Sequence, residues 1–186
     1  MLARLAHRIA VFSTIFLFAA CVTPGEKVAV TIDPAQIVGR AADAPRRAKV
    51  EVTDIRKSAE MERTALGASL GPIDLRPPAP ELVRAIVQAK ADEVIVRQGI
   101  ADPPVVLAGI RVFDIATPST PVYWDINTKI EVVLRVRGQD RTVTAAATDR
   151  TFVWPSEELI SKVTTEALKS LAAETGRALT ALMAPR

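Results

Sequence analysis

Between Val122 and Arg137 the chain alternates. Val122, Trp124, Ile126, Ile130, Val132, Leu134 and Val136 fall on one side, and Asp125, Asn127, Lys129, Glu131, Arg135 and Arg137 on the other. A period of two predicts a strand with one buried and one wet face, the usual habit of an antiparallel sheet. Gly138-Gln139 fits a two-residue turn with glycine first, and Arg141 to Trp154 returns as the partner strand. This turn sets Val136 opposite Arg141, with Leu134 meeting Val143, Val132 meeting Ala145, Ile130 meeting Ala147, Ile126 meeting Thr151 and Trp124 meeting Val153. Asp149 then falls opposite Thr128 on the buried side. It is either hydrogen-bonded near an edge or turned outward by a bulge.

Other stretches show similar periods. Val28 to Ile32 and Ala48 to Arg56 read as strands, the second with Val50, Val52 and Ile55 between charged residues. Asp33 to Arg47 reads as loop, and 57–80 as turn-rich, with a short strand near Ile73 to Leu75. Glu81 to Gln98 carries Leu82, Val83, Ile86, Val87 and Val94 at helical spacing after Pro77, Pro78 and Pro80, and Gly99 is a suitable stop. Val105 to Ala116 is continuous and apolar enough to be a central strand. Pro155 ends the last strand. Ser156 is then a helix N-cap followed by Glu157 and Glu158, and an amphipathic stripe runs to about Met183. That stripe is either core or a partner helix. The predicted order is β-β-α-β-β-β-α, an α+β domain with two helices packed on one face of a mostly antiparallel sheet.

The N-terminal segment follows a different pattern. Met1 to Arg8 holds Arg4 and Arg8 and no acid, Ile9 to Ala20 is apolar, and Phe18-Ala19-Ala20 precedes Cys21. A basic start, a short apolar core and small residues at its end predict an export signal. An uncleaved anchor would need about 20 apolar residues, more than Ile9 to Val22 supplies. A site of the A-x-A kind is disfavoured by Phe18. The segment resembles the lipobox of bacterial lipoproteins, in which the signal is cut before the cysteine, and its sulfur takes diacylglycerol and its new amino group an acyl chain. That resemblance implies residues 1–20 as a cleaved lipoprotein signal peptide, 21–27 as a lipidated tether starting at Cys21, and 28–186 as a single periplasmic α+β domain. Val22 rather than Asp after the cysteine implies the outer membrane.

Composition narrows the chemistry. Cutting at Cys21 removes two of 24 basic residues and no acid, leaving 22 against 21, close to neutral. No Lys/Arg-rich run favours nucleic acid. His7, the only histidine, leaves with the signal, and lipidation consumes the only cysteine. Histidine bases, thiolate nucleophiles, disulfides and Cys/His zinc sites are thereby excluded from the mature chain. Carboxylates such as Asp114, Asp125, Glu131 and Asp149 read as solvated or paired acids, not as catalysts. No catalytic residue, metal or cofactor is expected, and an enzyme is not.

The predicted register also defines a surface. It sets Tyr123 against Trp154, Asp125 against Phe152 and Asn127 against Arg150 on the wet face. Tyr123, Arg150, Phe152 and Trp154 form a candidate interaction surface, since Tyr, Trp and Arg are enriched in binding hot spots. Alternatively, the tether or the 57–80 segment covers these rings.

With the lipobox, the V-x-V-x-D-x-R strand (Val50, Val52, Asp54, Arg56), Gly67 and the α-β-β-β-α remainder, the chain resembles the YajG family of bacterial lipoproteins. The resemblance implies location and fold, and no catalytic residues. The expectation is a lipid-anchored, non-catalytic binding or assembly protein at the periplasmic face of the outer membrane, partnered by another envelope protein or itself. The alternative is a lipid- or small-ligand-binding auxiliary lipoprotein of an envelope transport system, with its ligand between sheet and helices.

Overall fold

A computed structural model describes residues 27–39 and 47–184 of the chain. The signal, the tether and Cys21 lie outside the described residues, apart from Lys27. In chain order the elements are β1 (Val28–Thr31), α1 (Ala35–Val38), β2 (Val50–Asp54), β3 (Glu62–Ala65), β4 (Ala68–Arg76), α2 (Ala79–Gln98), β5 (Val106–Ala116), β6 (Trp124–Val136), β7 (Gln139–Thr151) and α3 (Glu157–Leu182). The fold is α+β, with the helices packed against sheet. The strands divide into two sheets, ordered β2-β5-β6-β7 and β1-β4-β3. Each contains one parallel pair, β2 with β5 and β1 with β4. Two elements go beyond the sequence expectation: the turn α1 within 33–47, and the β3–β4 hairpin within 57–80.

Alternation builds the core of the larger sheet. Ile126, Ile130, Val132, Leu134 and Val136 of β6 are buried, as are Val106, Ala108 and Ile110 of β5. A bulge between Ile110 and Val112 inserts one residue and resets the phase, so Phe113 and Ile115 continue the buried row. Leu82, Val83, Ile86 and Val87 of α2 and Ile160, Leu168, Leu171 and Leu179 of α3 cover this face. Burying such a side chain contributes about 1.5–3 kcal/mol, so this two-layer contact is the main source of stability.

Both long helices start and stop as their termini predict. Pro78 precedes α2, Glu81 lies in its first turn, and Gly99 at φ 64° takes the left-handed stop with its N–H on the last carbonyls. The Ser156 hydroxyl accepts the Leu159 N–H at 3.3 Å at the start of α3. Val94 and Ile95 are buried helical residues.

The β6–β7 turn differs from the expectation. Val136 pairs with Gln139, so the two-residue loop is Arg137-Gly138, both at positive φ (51° and 76°). Such a turn matches the right-handed twist of the strands better than one with only its first residue at positive φ. The pairing therefore shifts by two residues: Leu134 meets Arg141, Val132 meets Val143, Ile130 meets Ala145 and Ile126 meets Asp149. A shift of two preserves which face each side chain takes, so the buried set is unchanged. Asp149 sits on the edge strand without a bulge, its carboxylate accepting from Lys162 Nζ at 3.1 Å and from the Arg150 N–H at 2.9 Å. These contacts hold its carboxyl below the ordinary range, Lys162 contributing most.

Candidate interaction surface

The corrected register rebuilds the aromatic cluster. Asp125 now faces Arg150, Asn127 faces Thr148, and Trp124 faces Thr151. Arg150 Nε and Nη2 donate to the two Asp125 oxygens at 2.7 and 3.2 Å. The same guanidinium lies over the Tyr123 ring, 3.8 Å from its centroid, a contact that is worth about 0.5–1 kcal/mol when exposed. Phe152 meets Tyr123 edge-on at 6.4 Å. Tyr123, Arg150 and Phe152 therefore do form one surface group, with Asp125, expected on the same face opposite Phe152, paired to Arg150 instead. Trp154 does not join them. The strand ends at Thr151, the chain bends, and the Trp154 ring packs instead on Trp124 at 5.6 Å.

Among the described residues this group is open on its Arg150 and Phe152 side. Phe152 is 70% exposed and Arg150 is exposed, while Tyr123 is half-buried. The Leu66 N–H donates to Ser119 Oγ at 2.6 Å, and the Thr64 N–H to Thr117 Oγ1 at 3.2 Å, which docks the β3–β4 hairpin on the loop between β5 and β6. That loop is closed by the Thr120 N–H to the Tyr123 carbonyl at 2.8 Å, and Thr120 Oγ1 accepts the Val122 and Tyr123 N–H groups. The Tyr123 backbone is thus fixed on both sides, and its ring is presented on an ordered frame.

The wet face of the larger sheet continues away from this corner. Ile55, Leu107, Gly109 and Val133 line a shallow groove of about 430 Å³, flanked by Glu51, Arg111, Arg135 and Asp140. Gly109 makes the depression: a Cβ there would stand 3.2 Å from Ile55 Cδ1. Asp140 and Arg135 close one wall as an ion pair, and Arg135 holds the Asp140 carboxyl below its ordinary range.

The four carboxylates singled out in the sequence are dispersed along β5, β6 and β7. Asp125 is held by Arg150, Glu131 faces Arg111 at 3.5 Å, and Asp149 binds Lys162. Asp114 is exposed opposite Lys129. Among the described residues no group of three or more His, Cys, Asp or Glu side chains is placed to hold a metal ion. None of their helices is long and apolar enough to cross a membrane.

Comparison with known proteins adds little to this geometry. No family model matches the chain, and no curated protein matches it. Among solved structures, the chain is similar to an uncharacterized protein at 9% identity, with 85% of this chain and 95% of that one covered and a TM-score of 0.40. It is also similar to a "putative lipoprotein" from Caulobacter crescentus CB15 at 10% identity, with 65% and 85% covered and a TM-score of 0.28. Likenesses this distant assign neither family nor activity, so the YajG-like pattern stays a resemblance.

Two further polar arrangements hold the frame rather than offer a site. Asp92, buried in α2, accepts the Arg47 and Ala48 N–H groups at 2.7 Å each and Gln88 Nε2 at 2.9 Å. Asp54 and Arg56, the polar half of the V-x-V-x-D-x-R pattern, form a two-point pair at 2.9 and 2.7 Å, and Arg56 Nη1 also reaches the Phe113 carbonyl at 3.2 Å. Sequence reasoning marked the second pair only through a resemblance; its role is to clamp β2 onto β5.

Proposed function

We propose that this protein is a lipid-anchored component of the bacterial envelope, held by acylated Cys21 at the periplasmic face of the outer membrane. In this reading it acts by binding another envelope protein or a second copy of itself, not by catalysis. The observation that carries the binding role is the Tyr123–Arg150–Phe152 group. Its Phe152 ring is exposed among the described residues, and its cation is already oriented by Asp125. Aromatic side chains on an ordered frame lose little entropy on binding, which is why they anchor interfaces. The anchor rests on the lipobox-like run ending at Cys21. Two or three acyl chains, at about 0.8 kcal/mol per buried CH₂, hold a protein at a bilayer effectively permanently.

The alternative, a ligand carried between sheet and helices, finds less support. The side chains at that interface, Ile126, Leu134, Leu168 and Leu171 among them, are fully buried against one another. Among the described residues, grooves open to a small ligand lie elsewhere, on the wet sheet face, between α1 and α3, and between α2 and α3.

The test is affinity purification of the full-length protein from detergent-extracted membranes, with the Cys21 peptide read by mass spectrometry. An acylated Cys21 and a stoichiometric protein partner are expected. Tyr123→Ser with Arg150→Ser should lose that partner while the melting temperature stays within a few degrees. Cys21→Ser should leave the domain folded but unacylated. A Cys21 peptide without acyl mass overturns the anchor, and a partner retained by the double variant overturns the surface.

A further inference from the structure

Four of the eight large apolar side chains exposed among the described residues lie at one end of the molecule: Leu66 (71%), Phe152 (70%), Val122 (66%) and Val153 (66%). Leu66 forms the tip of the β3–β4 hairpin, and its N–H is bound to Ser119. Ser119 bridges to Trp124, beside Val122 and Tyr123. Tyr123 meets Phe152, and Val153 follows. These residues therefore stand side by side across about three strand spacings, roughly 14 Å. Isolated exposed apolar residues are common, but a contiguous row at one end of a domain marks a contact surface.

The direction of β1 points the start of the described chain toward this end. β4 begins at the hairpin turn and runs away from the row, and β1 is parallel to it, with Val28 opposite Ile73 and Thr31 opposite Arg76. Val28 thus stands five strand residues short of Ala68 at the hairpin turn, about 17 Å. Between Cys21 and Lys27 lie six residue steps, which reach at most about 20 Å. A chain anchored at Cys21 is long enough for the row to touch the bilayer.

We propose that this end faces the membrane, and that Leu66, Val122, Phe152 and Val153 rest in the interfacial layer of the leaflet that holds Cys21. The inference rests on the lipid anchor proposed above. Contact is shallow. Glu157 and Glu158 open α3 one turn before Lys162, whose ammonium meets Asp149 two residues from the end of β7, and so they stand at the level of the strand end. Carboxylates there keep the domain in the headgroup region. Phe152 occupies the corner between this end and the wet sheet face, which leaves Tyr123 and Arg150 open to a partner lying along the membrane.

Both tryptophans of the chain, Trp124 and Trp154, pack together at this end, so their emission reports on it alone. The experiment is reconstitution of full-length protein, purified from membranes, into phosphatidylethanolamine/phosphatidylglycerol vesicles carrying acyl-brominated phospholipid. Acylation of Cys21 is read separately by mass spectrometry. Quenching of the tryptophan emission is expected. In the Leu66→Ser/Phe152→Ser/Val153→Ser variant it should fall at least about twofold, with the Cys21 acyl mass and the melting temperature unchanged. Acylated wild-type protein that is not quenched overturns the inference and leaves the anchor standing. A variant quenched as strongly as wild type, or a row cross-linked to a protein with no quenching, overturns it equally. An unmodified Cys21 overturns the anchor, and this placement with it.

Discussion

Asp92 shows how a single carboxylate orders a connection. One oxygen takes two backbone N–H groups from the segment entering β2, and the other takes the Gln88 amide, whose nitrogen also donates to the Ala48 carbonyl at 3.0 Å. Removing it leaves donors without an acceptor at a site that water reaches poorly. Asp92→Ala should therefore cost about 2–3 kcal/mol, read as a lower urea midpoint at unchanged slope. Asn is a milder probe, but its amide must face the Gln88 donor, so Asp92→Asn should still lose stability. The Asp54–Arg56 pair behaves differently with pH. The Arg56 guanidinium, nearly buried, holds the Asp54 carboxyl below its ordinary value of 3.8. A carboxyl whose folded pKa is depressed contributes stability above its unfolded value and loses it as pH falls through the folded one. Asp54→Asn should thus cost about 1–2 kcal/mol at neutral pH. The gap to wild type should close as pH drops below about 3.8, as followed by thermal melts across that range.

At the scale of elements, the strong periods were legible and the weak ones were not. The alternation of β6, the proline-led start of α2, Gly99 as its stop and Ser156 as the α3 cap each put a physical preference into a few residues, and each is realised in the fold. The β6–β7 turn was misplaced by one residue because an arginine at positive φ is uncommon, whereas glycine first in the loop is a standard pattern. The buried face survived, since the resulting slip is even. The group of Tyr123, Arg150 and Phe152 follows from that face, but Trp154 departs from it because the strand ends at Thr151 and the chain bends. Of the β3–β4 hairpin, only the stretch Ile73 to Leu75 reads as strand from sequence, because the turn is Leu66-Gly67 and A-S-L-G-P-I-D-L-R carries glycine and proline, residues that argue against a strand. Turn chemistry also gives a prediction with a favourable sign. Asn tolerates positive φ far better than Arg, so Arg137→Asn should stabilise the protein by about 0.5 kcal/mol. Gly138→Val should destabilise it by about 1–2 kcal/mol for the opposite reason. Both are read as shifts in melting temperature.

For the molecule as a whole, the length of chain between anchor and fold becomes a functional quantity. Four shallow apolar side chains make a weak contact by themselves, since each leaves part of its surface in water and the neighbouring carboxylates limit depth. What makes the contact persist is confinement. A tether of six residue steps keeps Lys27 within about 20 Å of the acylated cysteine, and the fold fixes the hairpin turn about 17 Å from Val28, so docking is an intramolecular event at high effective concentration. That concentration falls roughly as the −3/2 power of tether length once the span is reached. Inserting 30 Gly/Ser residues (about a sixfold lengthening) between Gly25 and Glu26 lowers it by roughly 15-fold. The anchor, the fold and the row are all untouched by this change. Tryptophan quenching by brominated lipid should therefore drop toward the level of the serine variant, while membrane fractionation and Cys21 acylation remain as in wild type. Quenching that persists at full strength would show that the row holds the bilayer unaided, and that the short tether has no part in orienting the domain.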